Sequence, residues 1–416
     1  MERLIFYVDV NSAFLSWEAV HRIKNGGKDI RLIPSAIGGD RDKRTGVILA
    51  KSIPAKKFNI TTGEPLAMAL RKCPDLFLAK PDFRLYEKYS KAFMDICRDY
   101  APVVEKYSID ECSLDMSGTK RIYPDPVVLA HEIKDKIRNI LGFTINIGIG
   151  DNKLLAKMAS DFEKPDKVHT LFSNEIRTKL WPLPIRALFS VGRATAERLE
   201  KAYITTIGDL AKTDLQRIQR LVGTKFGQQI YEYANGIDDS PVLSETEDVK
   251  GYSISTTLEN DIGTTETAHK VLLALADSIS SRMRADGARA YCIAVTIRGN
   301  DFKDKSHQKK LAVPTDITLE IFETSKTLFA ELWDKHTPLR LLGISLTGVS
   351  KTCYEQTTLF YDESQKRERA RKMDKAIDRI RSKFGMDAIT QGYFTQSVEV
   401  GRKYKAQMEN MFKQEK

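Results

Sequence analysis

The sequence predicts a multidomain α+β protein, and three observations predict it. The chain has 416 residues, more than one hydrophobic core usually organises. Its first third runs strand, helix, strand, strand, helix, strand, the order of a ferredoxin-like split unit. From residue 173 the texture changes to short helices broken by glycine, and from 251 strands and helices alternate again. With 42% hydrophobic and 29% charged residues, the composition is that of a globular chain and excludes a wholly disordered one.

Residues 3–10, RLIFYVDV, are the first strand, and Asn11 and Ser12 after it can cap a helix. An insertion over residues 19–79 follows early in the unit. Residues 84–101 carry Leu85, Tyr89, Phe93, Ile96 and Cys97 roughly at helical spacing. PVVEKYSI and CSLDMS are two short strands, close enough in sequence to form a hairpin. Residues 126–141 are helical, with Leu129, Ile133, Ile137 and Ile140 on one stripe. In FTINIGIG (143–150) the alternation of Phe143, Ile145, Ile147 and Ile149 predicts a half-buried strand.

The segment 184–211 has the form helix, Val-Gly turn, helix, a helix-hairpin-helix. Residues 238–250 are polar and acidic, the texture of a linker. Over 251–350, YCIAVTIRG and RLLGISLTGV read as strands between two long helical patterns, a second and smaller α/β sandwich. The remainder, 351–416, holds an amphipathic helix through Ala370, Met373, Ile377, Ile380 and Phe384, ended by Gly385.

The formal net charge is +10, which favours an acidic partner such as nucleic acid. The excess is uneven: residues 1–172 hold 28 basic and 23 acidic groups, residues 351–416 hold 15 and 10, and the middle balances. Any nucleic-acid surface on the middle segments must therefore come from local patches such as RGNDFKDKSHQKK (298–310). The five cysteines (Cys73, Cys97, Cys112, Cys292, Cys353) lack metal-binding spacing and read as reduced thiols rather than a zinc site. Asp9 interrupts the apolar N-terminus, which is no signal peptide. No apolar run is long enough for a membrane span.

Chemistry concentrates on three acids. Asp9 closes the first strand, and the adjacent pair Asp110-Glu111 lies at the junction of the second and third. In this topology strands one and three are neighbours at the sheet centre, so a turn at the junction can aim both acids at Asp9. Converging carboxylates repel unless cations neutralise them, and Mg²⁺ is the hard, oxygen-seeking candidate. Two such ions clamp in-line phosphoryl displacement. On spacing alone, a solvated acidic turn beside a strand-end Asp explains the pattern as well.

Four stretches decide between these readings: FYVDVNSAF, VILAKSIPAKKFNI, YSIDECSLD and GIGDNKLLAKMASDFEKPD. In order and spacing they resemble the Y-family translesion DNA polymerases, closely from residue 5 to about 170 and more loosely to about 350. The shared DVN after the first strand is similar to the UmuC-like (ImpB/MucB/SamB) branch. The resemblance implies a ferredoxin-like palm (1–18 and 80–172), a small fingers insertion (19–79) and a helix-hairpin-helix thumb (173–241). A linker (242–250), an α/β little-finger domain (251–350) and a tail (351–416) complete it.

The resemblance also implies roles. Asp9, Asp110 and Glu111 become metal ligands for two Mg²⁺ ions, for which Mn²⁺ can substitute, with the carbonyl of Val10 assisting. Phe14 becomes the steric gate that leaves no room for a 2′-hydroxyl. Asn11, Ser12, Ala13 and Phe14 offer N–H groups to the triphosphate, and Lys56 and Lys164 offer ammonium groups. Polymerase IV-like members place Tyr and Arg where this chain has Ile53 and Lys56, so Lys56 acts as a point charge without a bidentate fork, and Ile53 can only pack. Val191, Gly192, Arg193 and Thr195 in the thumb turn would hold a DNA backbone phosphate.

In the tail, Gln356, Leu359 and Phe360 resemble the pentapeptide that docks bacterial polymerases on the sliding clamp. The expected function is low-fidelity, template-directed DNA synthesis in damage tolerance. The expected partners are primer–template DNA, dNTP, the clamp and, as in UmuC-like relatives, an accessory protein; the expected setting is the bacterial cytoplasm, at the nucleoid. Two other classes compete: a palm-fold nucleotidyl cyclase, which the thumb-like hairpin and tethered domain disfavour, and an inactive DNA- or clamp-bound scaffold, which the intact acid trio disfavours.

Overall fold

All six residues of β1 (Ile5–Val10) are buried, in a computed structural model that describes residues 3–39, 46–244, 249–352, 361–385 and 388–389. The chain divides into two compact units, with the boundary between residues 246 and 247. Burial on both faces marks β1 as a central strand. Helix α1 (Ala13–Lys24) follows at once, from Ser12 in a left-handed backbone conformation with φ 48°. Ser12 makes no side-chain cap; instead the Ser16 hydroxyl donates to the Asn11 carbonyl at 2.6 Å. The helix runs past residue 18, the expected edge of the first segment, to Lys24.

Next come β2 (Ser35–Gly38), β3 (Ile48–Lys51), α2 (Ile53–Lys56), α3 (Leu66–Lys72) and β4 (Phe77–Ala79). Their strands form a separate three-stranded sheet, β3-β2-β4, over a small core of Ile48, Ile60, Leu66 and Leu76. The main unit resumes with α4 (Phe83–Arg98), whose cap Asp82 accepts from the Leu85 N–H and which buries Tyr86, Tyr89, Phe93, Ile96 and Cys97. The expected hairpin is β5 (Val103–Lys106) with β6 (Glu111–Asp115).

Helix α5 (Pro126–Leu141) starts at the cap Asp125 and buries Leu129, Ile133 and Ile137, while Ile140 in its last turn is exposed. Strand β7 (Ile145–Gly150) is buried throughout, not half-buried as its alternation predicts. Its glycine face is a helix contact: a Cβ on Gly148 would stand 2.0 Å from the Ala156 carbonyl oxygen, so α6 (Lys153–Ser160) lies directly on the strand backbone. Strand β8 (Val168–Leu171), which the sequence pattern does not reveal, joins parallel to β7. The sheet order is β5-β6-β1-β7-β8, so the first and third strands of the split unit are indeed neighbours.

The segment after β8 has a core around Leu180, Ile185, Leu199, Ile207, Leu210 and Ile230. Ile185–Ala187 is a single 3₁₀ turn rather than the first helix of the expected pair. Pro184 precedes it and Leu188 ends it in extended conformation, which stops a longer helix from forming. Four helices follow: α7 (Arg193–Glu200), α8 (Ile207–Lys212), α9 (Leu215–Val222) and α10 (Thr224–Ala234).

The second unit runs β9 (Gly251–Ile262), α11 (Thr265–Ala285), β10 (Arg289–Gly299), β11 (Asp304–Thr315), α12 (Thr318–Leu332), β12 (Leu339–Ser350) and α13 (Tyr361–Phe384). Strands pair antiparallel in the order β11-β10-β12-β9 over a core that includes Leu272, Ile279, Val295, Phe329 and Leu342. Helix α13 lies on this unit with its charged side inward. Asp374 and Arg381 are buried, while Met373 and Phe384 are 59% and 68% exposed. Of the expected apolar stripe Met373, Ile380 and Phe384 are exposed and Ala370 and Ile377 half-buried, because the inward side chains find buried ionic partners instead. Gln356, Leu359 and Phe360 lie outside the described residues. Cys73, Cys97, Cys112 and Cys292 are free thiols, and among the described residues no helix is long and apolar enough to cross a membrane.

Candidate active site

The register of β1 against β6 sets Asp9 directly opposite Glu111. Opposed residues of an antiparallel pair share a face, so both carboxylates stand on one side of the sheet. Asp110 sits in the turn just before β6, tied by its own carbonyl, which accepts from the Val10 N–H at 3.0 Å. The Ser108 hydroxyl joins the pair, donating to Asp110 Oδ1 at 2.7 Å and within 3.2 Å of Glu111 Oε2. All three acids are thus drawn to one end of the central strands.

They do not form a closed ligand cage: among the described residues no three such side chains are grouped to enclose an ion. Two lysines stand among them instead. Lys164 Nζ donates to Asp9 Oδ2 at 2.8 Å and lies 2.9 Å from Asp161. Lys157 donates to Glu111 and lies 3.5 Å from Asp9, with its ammonium 4.6 Å from the centre of the Tyr7 ring. The expected phosphate lysine Lys164 is therefore placed as a counter-ion of Asp9, because a buried carboxylate takes the nearest cation.

The packing of α6 on Gly148 and Gly150 carries Lys157 to this position. Two asparagines place Lys164. Asn146, opposite Asp9 on β7, accepts from Asn11 Nδ2 at 3.0 Å and donates to the carbonyls of Ser160 and Glu163. Asn11 Oδ1 accepts from the Asp166 N–H at 2.9 Å. Asn11 is thereby a structural clamp, and its own N–H donates to the Thr144 carbonyl at 3.0 Å. That N–H is committed, which removes Asn11 from the expected triphosphate donors.

The electrostatics follow from enclosure. Burial pushes the Asp9 carboxyl up to about 6, against Lys164 and Lys157 and with Glu111 adding to the rise. Burial acts upward on Glu111 too, but the hydrogen bond and charge of Lys157 prevail and hold it below the ordinary range. Burial alone would lower Lys157 and Lys164; the surrounding acids hold both above the usual lysine value. Asp9 and its lysine partners thus both move upward. For Asp9 enclosure outweighs two cations, and for each lysine several acids outweigh enclosure. Four acids (Asp9, Asp110, Glu111, Asp161) face two ammonium groups, an excess of negative charge.

Beside this cluster is a cleft of about 300 Å³. Asp9, Asp110 and Val10 line it, together with Ser12, Ala13 and Phe14 at the start of α1 and Leu49, Lys51, Lys56 and Thr62 from the small sheet. Glu111 is not among its lining residues; Lys157 and Ser108 engage it. The Phe14 ring is fixed by stacking on Tyr86 at 4.9 Å and by Phe83 and Trp17 at 5.9 and 6.0 Å. Ile53 is 54% exposed. In the helical segment, Val191 is buried and its N–H donates to the Leu188 carbonyl, so the turn's exposed groups are Gly192 and Arg193. Arg193 pairs with Glu197 at 2.7 Å, and Thr195 is half-buried.

The acids on the cleft lining, Asp9 and Asp110, offer oxygen donors, which is the chemistry a hard divalent cation takes. The ammonium groups on Asp9 and Glu111 are stand-in cations at the same carboxylates, so the residues present fit such an ion. Lys157, Asp161, Ser108 and Lys51 are the residues that sequence reasoning did not single out. The i, i+4 spacing of Lys157 and Asp161 was the available signal.

Comparison with known proteins adds identity to this geometry. The impB/mucB/samB family profile matches residues 8–161, its C-terminal domain matches 249–359, and the DNA polymerase-iota thumb domain matches 186–238. DNA polymerase IV of Clostridium acetobutylicum is 43% identical over 402 residues, covering 96% of this chain and 100% of that protein. Its counterparts in Clostridium kluyveri and Alkaliphilus oremlandii are 37% and 36% identical, each over 94% of this chain and 98% of the relative. A solved Y-family DNA polymerase chimera superposes with a TM-score of 0.73 at 22% identity, covering 84% of this chain and all of that one, and shows the same fold.

Proposed function

The chain belongs to the impB/mucB/samB family of Y-family DNA polymerases, and from that premise we propose how its residues carry out synthesis. It is a DNA-directed DNA polymerase of the translesion class, dependent on a divalent metal, that binds primer–template DNA and dNTP. The primer 3′-hydroxyl attacks the α-phosphate of the incoming dNTP, a new phosphodiester bond forms, and pyrophosphate leaves. Such a transfer needs positioning and charge neutralisation rather than a covalent nucleophile.

The observation that supports this reading most is the single cleft that Asp9, Asp110 and Val10 share with Phe14, the start of α1 and Lys56. Asp9, Asp110 and Glu111, with the Val10 carbonyl, would hold two Mg²⁺ ions, which supply neutralisation of the charge that builds on the transferred phosphoryl group. Ser12, Ala13 and Phe14 offer the unpaired N–H groups of the first turn of α1 to the triphosphate. Lys56 adds a point charge, and Lys164, which donates to Asp9, would be free to meet phosphate where a divalent ion neutralised that carboxylate. Phe14, held between three aromatic rings, closes the space beside C2′ of the sugar and selects deoxynucleotides. Gly192, Arg193 and Thr195 take a backbone phosphate of the duplex without reading sequence.

Residues 356–360 dock on the sliding clamp, and the setting is the bacterial cytoplasm at the nucleoid. The segments 1–18 with 80–172, 19–79, 173–241 and 251–350 act as palm, fingers, thumb and little finger. Primer extension on intact and abasic templates tests the reading. Mg²⁺-dependent incorporation opposite both is expected, increased by clamp on the intact chain and not on a Gln356/Leu359/Phe360 triple alanine variant. Absence of incorporation by folded protein would remove the polymerase reading, and an equal clamp response in both chains would remove the docking motif.

A further inference from the structure

Lys51 is the last residue of β3 and lines the same cleft as the acids Asp9 and Asp110. Strand β3 alternates buried Ile48 and Ala50 with half-buried Leu49 and Lys51, and Leu49, Ala50 and Lys51 all line the cleft. Ser52 caps the four-residue α2 by accepting from the Ala55 N–H, which turns the chain so that Lys51 and Lys56 line one cleft from either end of that helix. Lys51 Nζ donates to Thr62 Oγ1 at 3.3 Å, a long bond to a neutral group. Among the described residues neither Lys51 nor Lys56 forms an ion pair.

A lysine half-enclosed beside a second lysine, without a carboxylate on it, is poorly placed for stability. Burial first and the charge of Lys56 second hold the Lys51 ammonium below its ordinary range, with Glu64 acting the other way. A pair of like charges kept in a cleft is what an anion receptor requires. The same cleft contains the N-terminal turn of the 12-residue α1 and the acids Asp9 and Asp110. A ligand seated there meets both carboxylate oxygens for its metal and two ammonium groups. Ile53, which follows Lys51 by two residues, brings no hydrogen-bonding group.

We propose that Lys51 is a ligand of the incoming nucleotide's phosphates, acting with Lys56 as a cation pair. The inference rests on the polymerase reading of this cleft and adds to it a phosphate contact from the strand. Two lysines then share the work that Lys56 alone, lacking a guanidinium fork, would do weakly.

Single-nucleotide incorporation and calorimetric binding of inorganic tripolyphosphate test it on the full chain. Lys51→Ala should raise the KM for dNTP about tenfold and weaken tripolyphosphate binding by about the same factor, with Lys51→Arg near wild type in both. Lys57→Ala removes an exposed lysine that does not line the cleft and should leave both values unchanged. An unaltered KM in folded Lys51→Ala overturns the proposal. So does a raised KM with unaltered tripolyphosphate binding, which would move Lys51 to the base or the template. A Lys57→Ala variant that reproduces Lys51→Ala would reduce Lys51 to a contribution of net charge and overturn the proposal as well. If the wild-type chain incorporates nothing, the polymerase reading fails, while the tripolyphosphate difference still decides the anion site.

Discussion

Each unit of this protein contains a cluster of buried charges, and the two clusters are built to opposite ends. In the second unit, Arg284 lies between α11 and α13, 2.7 Å from Asp378 and 3.2 Å from Asp374, and also donates to the Asp316 carbonyl and Thr318 Oγ1. Arg381 pairs with Asp277 at 2.9 Å and Arg371 with Asp316 at 2.8 Å. Four acids meet three arginines, and Asp374 also accepts from the Thr318 N–H. In the first unit four acids meet only two lysines, and a cleft adjoins them. Nearly balanced charge with full hydrogen bonding holds a helix in place; unbalanced charge beside open space is poised for a cation from outside.

Removing acid from the unbalanced cluster should have the largest effect. Asp110→Ala should lower incorporation at least about 1,000-fold while duplex binding in a filter or anisotropy assay stays within about threefold. Residual synthesis near wild type would take Asp110 out of the chemistry. Removing a cation from each cluster gives the sharpest contrast. Arg284→Met leaves Asp374 and Asp378 without their partner in a buried place, and the second unit should lose about 3–5 kcal/mol of stability by denaturant titration. Lys157→Met also unpairs Glu111, but there a metal can replace the lost charge. At an effective dielectric near 20, a unit charge about 4 Å away is worth ~4 kcal/mol, so Mn²⁺ binding to the DNA-free protein should tighten at least about tenfold by electron paramagnetic resonance. Mn²⁺ affinity left unchanged in the folded variant would mean that the acidic excess is no metal site.

The contrast also marks what the chain's letters disclose. Asp9, Asp110 and Glu111 were legible because a strand order and an adjacent acid pair are one-dimensional facts, and the antiparallel register does the rest. The lysines on those acids were not. Their placement depends on α6 lying against the glycine face of β7 and on the Asn11–Asn146 clamp, both long-range contacts. Strand β11 was missed for a simpler reason. DKSHQKK has no apolar alternation, and it forms a strand because β10 pairs with it on one side while its side chains stay exposed. The tail helix was legible as a helix, yet its buried side was misjudged, since hydrophobic periodicity cannot anticipate an ionic interface.

Phe14 offers a milder test of the same site. Its ring is fixed by Tyr86, Phe83 and Trp17 rather than by any charge, so Phe14→Ala should leave metal binding alone and change sugar selection. The ratio of deoxynucleotide to ribonucleotide kcat/KM should fall by roughly 100-fold. Unchanged selectivity would remove Phe14 from the gate and leave it as a core aromatic.

The smallest expected effect lies in the balanced unit. His269 meets Phe322 and Phe329 edge-on, and burial, with Lys326 adding, holds its imidazole below the ordinary histidine range. The folded chain therefore binds this proton less readily than the unfolded chain does. Between the folded value and the unfolded value near 6.5, the unfolded state carries more protons, so stability rises with pH through that window and is lost as the solution is acidified through it. Thermal unfolding of the second unit at pH 5.5 and 7.5 should show this difference, and His269→Gln should flatten it. A rising slope that survives His269→Gln would take His269 out of the effect, and it could not be ascribed to Asp374, whose carboxyl burial also raises. A raised acid gives the opposite sign, losing stability as pH climbs toward its folded value, so the direction of the slope alone separates the two.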